Sequence, residues 1–215
     1  MKQVIKENTV SLLAVLTGFV VVALLYGRMP AVIPVHWSVD GTANGWMPRS
    51  YGAWVLPVTN AVVMAVLVAA KTISPSNWEI TKFGRSYQVL VASINAFLLL
   101  ITVIATWAAI GGTPNVSLWV ASGGGVLLLV LGNYMGKLTK NFFIGIRTPW
   151  TLADDEVWLR TNRLGGKLFV AAGLASVAGS WMNIGVMIFA LATITAALAS
   201  VVYSYVIYRR LQTAS

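Results

Sequence analysis

The stretch TVSLLAVLTGFVVVALLYG, Thr9–Gly27, decides the fold: nineteen residues without a charge. About 20 apolar residues in a helix cross a hydrocarbon layer of roughly 30 Å. Lys2 and Lys6 stand before the run. It is longer than the apolar region of a signal peptide, and no A-x-A-like cleavage site follows, so it reads as a retained first span. Hydrocarbon offers no water to loose N–H and C=O groups, which makes the helix the expected form.

Five more charge-free stretches lie outward from it, at about Tyr51–Ala70, Tyr87–Ile110, Val116–Met135, Leu168–Met182 and Ile184–Tyr208. Of the 215 residues, 58% are hydrophobic and only 10% charged. A soluble domain carries about a quarter charged. The alternating pattern of a membrane barrel strand is absent. The sequence therefore predicts an all-α membrane protein, a bundle of six transmembrane helices in one domain, 1–215. Within it, 1–73 is an N-terminal hairpin with an outer cap loop at 28–50, 74–136 a central hairpin, 137–167 a cytoplasmic loop and 168–215 a C-terminal hairpin.

Charge distribution predicts the orientation. Lys and Arg number two on the N-terminal tail, three in Lys71–Ser86 (Lys71, Lys82, Arg85), six in Lys137–Lys167 and two at the C-terminus, thirteen in all. The opposite side holds Arg28 and Arg49. The positive-inside rule then places both termini in the cytoplasm. The net charge of +9 suits anionic lipid heads, and no basic patch with stacking aromatics calls for nucleic acid. Without cysteine there is no disulfide or thiolate chemistry.

Small residues recur every four positions: Gly132 and Gly136, Ala171, Ala175 and Gly179, and Ala192, Ala196 and Ser200. They predict close helix packing within the chain. Asn60 and Asn95 fall mid-span, where an interhelical hydrogen bond is expected.

Two connections are long enough to hold function. The outer one, MPAVIPVHWSVDGTANGWMPR, Met29–Arg49, has Pro30 and Pro34 to stop the helix and turn signals at Asp40-Gly41 and Asn44-Gly45. It predicts a compact cap whose tryptophans sit at the interface. His36, the only histidine, is read as interfacial or structural; with Asp40 it offers two metal ligands, which make no site, and a pH-sensing role also stays open. No metal or other cofactor is expected.

The inner connection, KLTKNFFIGIRTPWTLADDEVWLRTNRLGGK, Lys137–Lys167, is too apolar at Phe142–Ile146 for a free loop. Thr151 reads as an N-cap with Asp154 as box partner, opening a short interfacial helix, Thr151–Leu164, that Gly165-Gly166 ends. Asp155 and Glu156 are the expected partners of Arg147. The loop is then a structural clasp, a cytoplasmic docking surface, or both.

Asn141–Trp158 followed by Asn162–Lys167 resembles the signature of the SdpI-type bacterial immunity proteins. The pattern P-x-x-x-P-x-H-W-x-x-x-G, Pro30–Gly41, resembles a domain of unknown function that many members carry at the N-terminus. The resemblance implies a six-span bacterial inner-membrane protein that protects against a secreted antimicrobial peptide and relays its presence by holding a cytoplasmic transcriptional repressor at the membrane. The site residues it implies are Pro34, His36, Trp37 and Gly41 outside, and Asn133, Gly145, Arg147, Thr148, Pro149, Trp150, Glu156, Trp158 and Arg163 inside. No catalytic residue is expected. The expected partners are the bilayer, a toxin peptide and a repressor, without direct nucleic-acid binding. A small transporter or channel for a peptide, lipid or ion is the alternative, although no span carries the charged residue that marks an ion path. A membrane enzyme built on His36 and Asp40, or on Arg147 and phosphate, is the third reading.

Overall fold

In the computed structural model, which describes residues 2–74, 84–182 and 184–214, the Thr9 stretch is helical as expected. A short helix α1 (Lys2–Glu7) leads into α2 (Thr9–Leu25), which one 3-10 turn, Tyr26–Arg28, extends. Lys71 Nζ meets Glu7 Oε2 at 2.5 Å and ties α1 to the end of α3 (Arg49–Ile73). Helices α4 (Gly84–Ala109), α5 (Val116–Met135), α6 (Pro149–Ala153), α7 (Asp155–Gly179) and α8 (Gly185–Ala214) complete the helical set. Between α2 and α3 run strands β1 (Val32–Trp37) and β2 (Ala43–Pro48). The fold is thus mostly helical but not all-α as expected, because the compact cap predicted between the first two spans is a two-stranded antiparallel sheet. Lys82, counted above, and Asn183, between the fifth and sixth charge-free stretches, lie outside the described residues.

Five of these helices are long and apolar enough to cross a membrane: Thr9–Arg28, Arg49–Lys71, Gly84–Ala109, Val116–Met135 and Gly185–Thr213. Their outward faces are apolar. Val10, Leu13, Leu16, Val20 and Leu24 on α2, and Leu191, Ile194, Leu198 and Val202 on α8, are exposed at helical spacing. Water would not tolerate so much contiguous apolar surface, so this is a multi-pass membrane protein. Pro57 sits inside α3, a position that spanning helices accept because neighbouring groups satisfy the freed carbonyl.

The structure differs from the sequence expectation in the fourth connection. No separate helix spans Thr151–Leu164. The one-turn α6 stops at Ala153, and α7 starts at Asp155 and runs unbroken through Gly165-Gly166 to Gly179. These glycines are contact points with α5, not breaks. A β-carbon at Gly132 would lie 2.5 Å from the Gly166 carbonyl oxygen, and one at Gly173 would lie 2.6 Å from that of Gly125. The pairs Gly132–Gly166 and Gly125–Gly173 keep step at seven-residue spacing on antiparallel helices, so backbone meets backbone. The alanines at 171 and 175 are exposed and border an open groove between α7 and α8 instead. Ala196 and Ser200 are buried as expected.

In the other half of the bundle α2, α3 and α4 pack together. Asn60 Nδ2 donates to the Asn95 backbone oxygen at 3.3 Å, which is the interhelical bond expected between α3 and α4.

Candidate functional site

The chain builds two ordered structures at opposite ends of the bundle. At one end, β1 and β2 pair Val32 with Pro48, Ile33 with Met47 and Pro34 with Trp46. Arg49 N donates to Ala31 O at 2.9 Å, which sets the alternation: Ala31 and Ile33 point their main chain at β2, and Val32 and Pro34 point theirs away. Pro34 and Pro48 therefore fall where no ladder bond is lost. The hairpin packs on the end of α2 through Met29 and Ile33, both 3% exposed, beside Val22, Ala53 and Ala109. Arg49 Nη1 donates to Met29 O at 2.6 Å, and its guanidinium sits 5.1 Å from the Tyr26 ring centroid.

His36 is exposed and opposite Gly45. Its Nδ1 lies 2.6 Å from Asn44 Oδ1, within hydrogen-bond distance. Asp40 is turned into its own loop, where its carboxylate accepts from the Ser38 hydroxyl and, at 2.9 and 2.7 Å, from the Thr42 amide and hydroxyl. The two do not converge on a common point, and among the described residues no three metal-ligating side chains cluster. Gly41 takes φ +85° at the tip, and Ser117 Oγ on α5 donates to the neighbouring Val39 O at 2.8 Å. Trp37 is half-buried at the edge of a cavity below β1. Ser38 and Thr42 are absent from the residues singled out above, although S-V-D-G-T is an Asx-turn pattern that signals both, and Asn44 was read only as a turn signal.

The Ser38 hydroxyl, followed by the Thr42 amide and hydroxyl, holds the Asp40 carboxyl down at about 2, below its ordinary 3.8. A carboxylate lowered in this way contributes order above its ordinary value and loses it as pH falls through the lowered one. The Asp40 carboxyl 13C shift is expected to titrate near the lower value, with Thr42 amide protection kept at pH 4. A midpoint at the ordinary value contradicts this turn.

At the other end, the segment after α5 folds back as a clasp around two buried asparagines. Asn141 Oδ1 accepts from the amides of Phe143 and Ile144 at 2.9 and 2.8 Å, and its Nδ2 donates to Thr139 O and Ile144 O. Asn162 Oδ1, on α7, accepts from Ile146 N at 2.9 Å, and its Nδ2 donates to Trp158 O. Trp158, 2% exposed, donates from Nε1 to Leu138 O at 2.8 Å. Gly145 crosses over this pair at φ +109°, where a β-carbon would meet Asn162 Oδ1 at 2.7 Å. Sequence reading did not single out Asn141 and Asn162, although they open the two halves of the inner motif.

The helix caps shift by three residues. Thr148 caps α6 in a reciprocal box with Thr151, and Asp154 caps α7 by accepting from the amides of Glu156 and Val157. Thr148 Oγ1 also meets Ser204 Oγ on α8 at 3.0 Å, and the Trp150 ring lies 5.0 Å from that of Tyr205. Pro149 is the exposed first residue of α6. The partners expected for Arg147 are taken: Asp155 pairs with Lys140 at 2.5 Å and Glu156 with Arg160 at 2.6 Å. Arg147, exposed, donates from Nη1 to the Phe142 carbonyl instead. The geometry thus gathers Gly145, Arg147, Thr148, Trp150 and Trp158 into one clasp. Asn133, Glu156 and Arg163 stay exposed on the helix surfaces outside it.

Residues 137–205, the clasp with α7 and most of α8, match the model of the SdpI/YfhL protein family. Residues 12–60, which include the hairpin, match a domain of unknown function (DUF1648). The chain is 27% identical over 212 residues to Immunity protein SdpI of Bacillus subtilis (strain 168), covering 96% of this chain and 98% of that one. No solved structure matches. The two matched segments fall on the two ordered ends, and the relative aligns along nearly the whole length, so this chain is similar to the SdpI-type immunity proteins at both ends of its bundle.

Proposed function

We propose that this protein protects a bacterial cell against a secreted antimicrobial peptide, and that it relays the peptide's presence to a cytoplasmic repressor. The observation that carries the proposal is the 27% identity, over almost the full length, to a protein named for immunity. The hairpin is then the outer recognition element, and the clasp the inner contact. No catalytic role is assigned to either.

The proposed topology has six spans with both termini in the cytoplasm. The glycine register supports it. Gly166 and Gly173 of α7 sit against Gly132 and Gly125 of α5, so the apolar half of α7 runs at the same depth as a helix that spans. Charge supports the orientation, because the clasp end carries the Lys and Arg majority.

The test is a deletion in the native host, challenged with the secreted peptide fraction of its parent strain. The deleted strain is expected to lose viability that a plasmid copy restores. Equal survival of both strains sinks immunity. A transcriptional reporter for the relay is expected to stay silent in the deleted strain.

A further inference from the structure

Below β1 lies a cavity of about 70 Å³. We propose that it receives one branched aliphatic side chain of an extended peptide that pairs with the free edge of β1. This rests on the reading of the hairpin as a peptide-recognition element.

The space exists because its walls are small. Gly52, Ala53, Ala105 and Ala109 leave it open, and Met29, Ile33, Val35 and Leu56 make it apolar. An apolar cavity of roughly 150 Å³ holds a benzene ring. Half of that takes an isobutyl or isopropyl group and excludes an aromatic ring or a long lipid chain.

The strand above it selects the ligand class. β1 contributes Ile33, Pro34, Val35 and Trp37 to the lining, and β2 contributes nothing, so the cavity lies on the β1 side of the hairpin. The sheet has two strands, and among the described residues no backbone group pairs with the other edge of β1. Val32 and Pro34 point their carbonyls along that edge, by the alternation set out above. An added strand gains main-chain bonds there and lays alternate side chains toward the helices, the general logic of strand addition with a side-chain pocket. The Thr106 hydroxyl, on a residue 4% exposed, lines the cavity and forms no hydrogen bond among the described residues. A peptide carbonyl at the mouth supplies its acceptor, and an acyl chain does not. The roof is held in place by the bond from Ser117 to Val39.

The test uses the full chain in phosphatidylcholine nanodiscs with the peptides acetyl-Thr-Val-Xaa-Val-Thr-amide, where the central residue is Leu, Ala or Trp, or photoreactive leucine. The Leu peptide is expected to bind at least about tenfold tighter than the Ala or Trp peptides, given about 0.8 kcal/mol per buried methylene. Photoreactive leucine is expected to label Met29, Leu56 or Ala105. Ala105→Leu, which fills the cavity, is expected to erase the preference for Leu; Ala53→Val serves the same purpose if Ala105→Leu fails to fold. Equal binding of the Leu and Ala peptides overturns the proposal. So does a Leu preference that survives a folded, filled variant, or labelling confined to the lipid-facing residues of α2 and α8. Labelling of Met29 by a diazirine-bearing acyl chain that the peptide does not displace assigns the cavity to lipid and also overturns it. The immunity reading is judged separately by survival: protection without this binding sinks the cavity proposal alone, and binding without protection sinks immunity alone.

Discussion

Gly132→Ala is expected to abolish most folded protein, while Gly136→Ala, one turn away, is expected to be silent. A methyl at Gly132 meets backbone on the facing helix, the Gly166 oxygen at 2.5 Å and the Val170 nitrogen at 2.8 Å. Backbone has no rotamer by which to step aside, so α5 and α7 must separate along their whole contact. Overpacking of this kind costs about 1–3 kcal/mol where side chains give way, and more where they cannot. At Gly136 the same methyl finds the Arg163 Cγ at 3.4 Å, the middle of a flexible side chain. Both variants are to be compared by yield and by denaturation in detergent. Equal stability of the two removes the close α5–α7 contact as a determinant of the fold.

Trp158→Ala is the second large effect. The indole is buried against Tyr87, Leu90 and Leu138, and its Nε1 donates to the Leu138 carbonyl. Truncation of a buried tryptophan costs about 3–5 kcal/mol. Trp158→Phe keeps most of the volume and leaves the Leu138 oxygen without its donor, for about 1–3 kcal/mol. The pair separates packing from hydrogen bonding: unfolding is expected to rank wild type above Trp158→Phe above Trp158→Ala. If Ala matches Phe, the cluster collapses onto the space and the bond carries the effect. If neither differs from wild type, the clasp does not contribute to stability.

Five of the six expected spans were legible because a charge-free run of this length has few other uses. The fifth stretch was harder. Asp155, Glu156, Arg160, Arg163 and Lys167 precede it, and Gly165-Gly166 reads as a break by the habits of soluble helices. Between lipid-embedded helices glycine is instead a surface for close approach, and the pairing that uses it is visible only once α5 stands alongside. The hairpin was hidden for a different reason. With Pro34 and Pro48 in its strands and a register irregularity on either side of His36, it lacks the clean alternation that announces a strand. The caps were misplaced by three residues because Thr148 and Thr151 are both threonines in one reciprocal pair, and Asp154 caps the next helix. Arg147 was matched to Asp155 and Glu156 by nearness in sequence, and the fold had given those carboxylates to Lys140 and Arg160. Of the inner residues, those with aromatic or conformational demands, Gly145 and Trp158, lie in the buried clasp. Three polar residues that the resemblance implied, Asn133, Glu156 and Arg163, lie on the surface.

The hydrogen bond from Ser117 to Val39 has a mechanical consequence. Ser117 stands in the first turn of α5, and the glycines that lock against α7 stand in the same helix. That helix is a rod of 20 residues, about 30 Å long. At its far end Met135 adjoins Gly165, and just beyond it Leu138 accepts from Trp158. A load applied at the hairpin tip therefore has a stiff strut running the depth of the bundle, and the foot of that strut rests on the clasp.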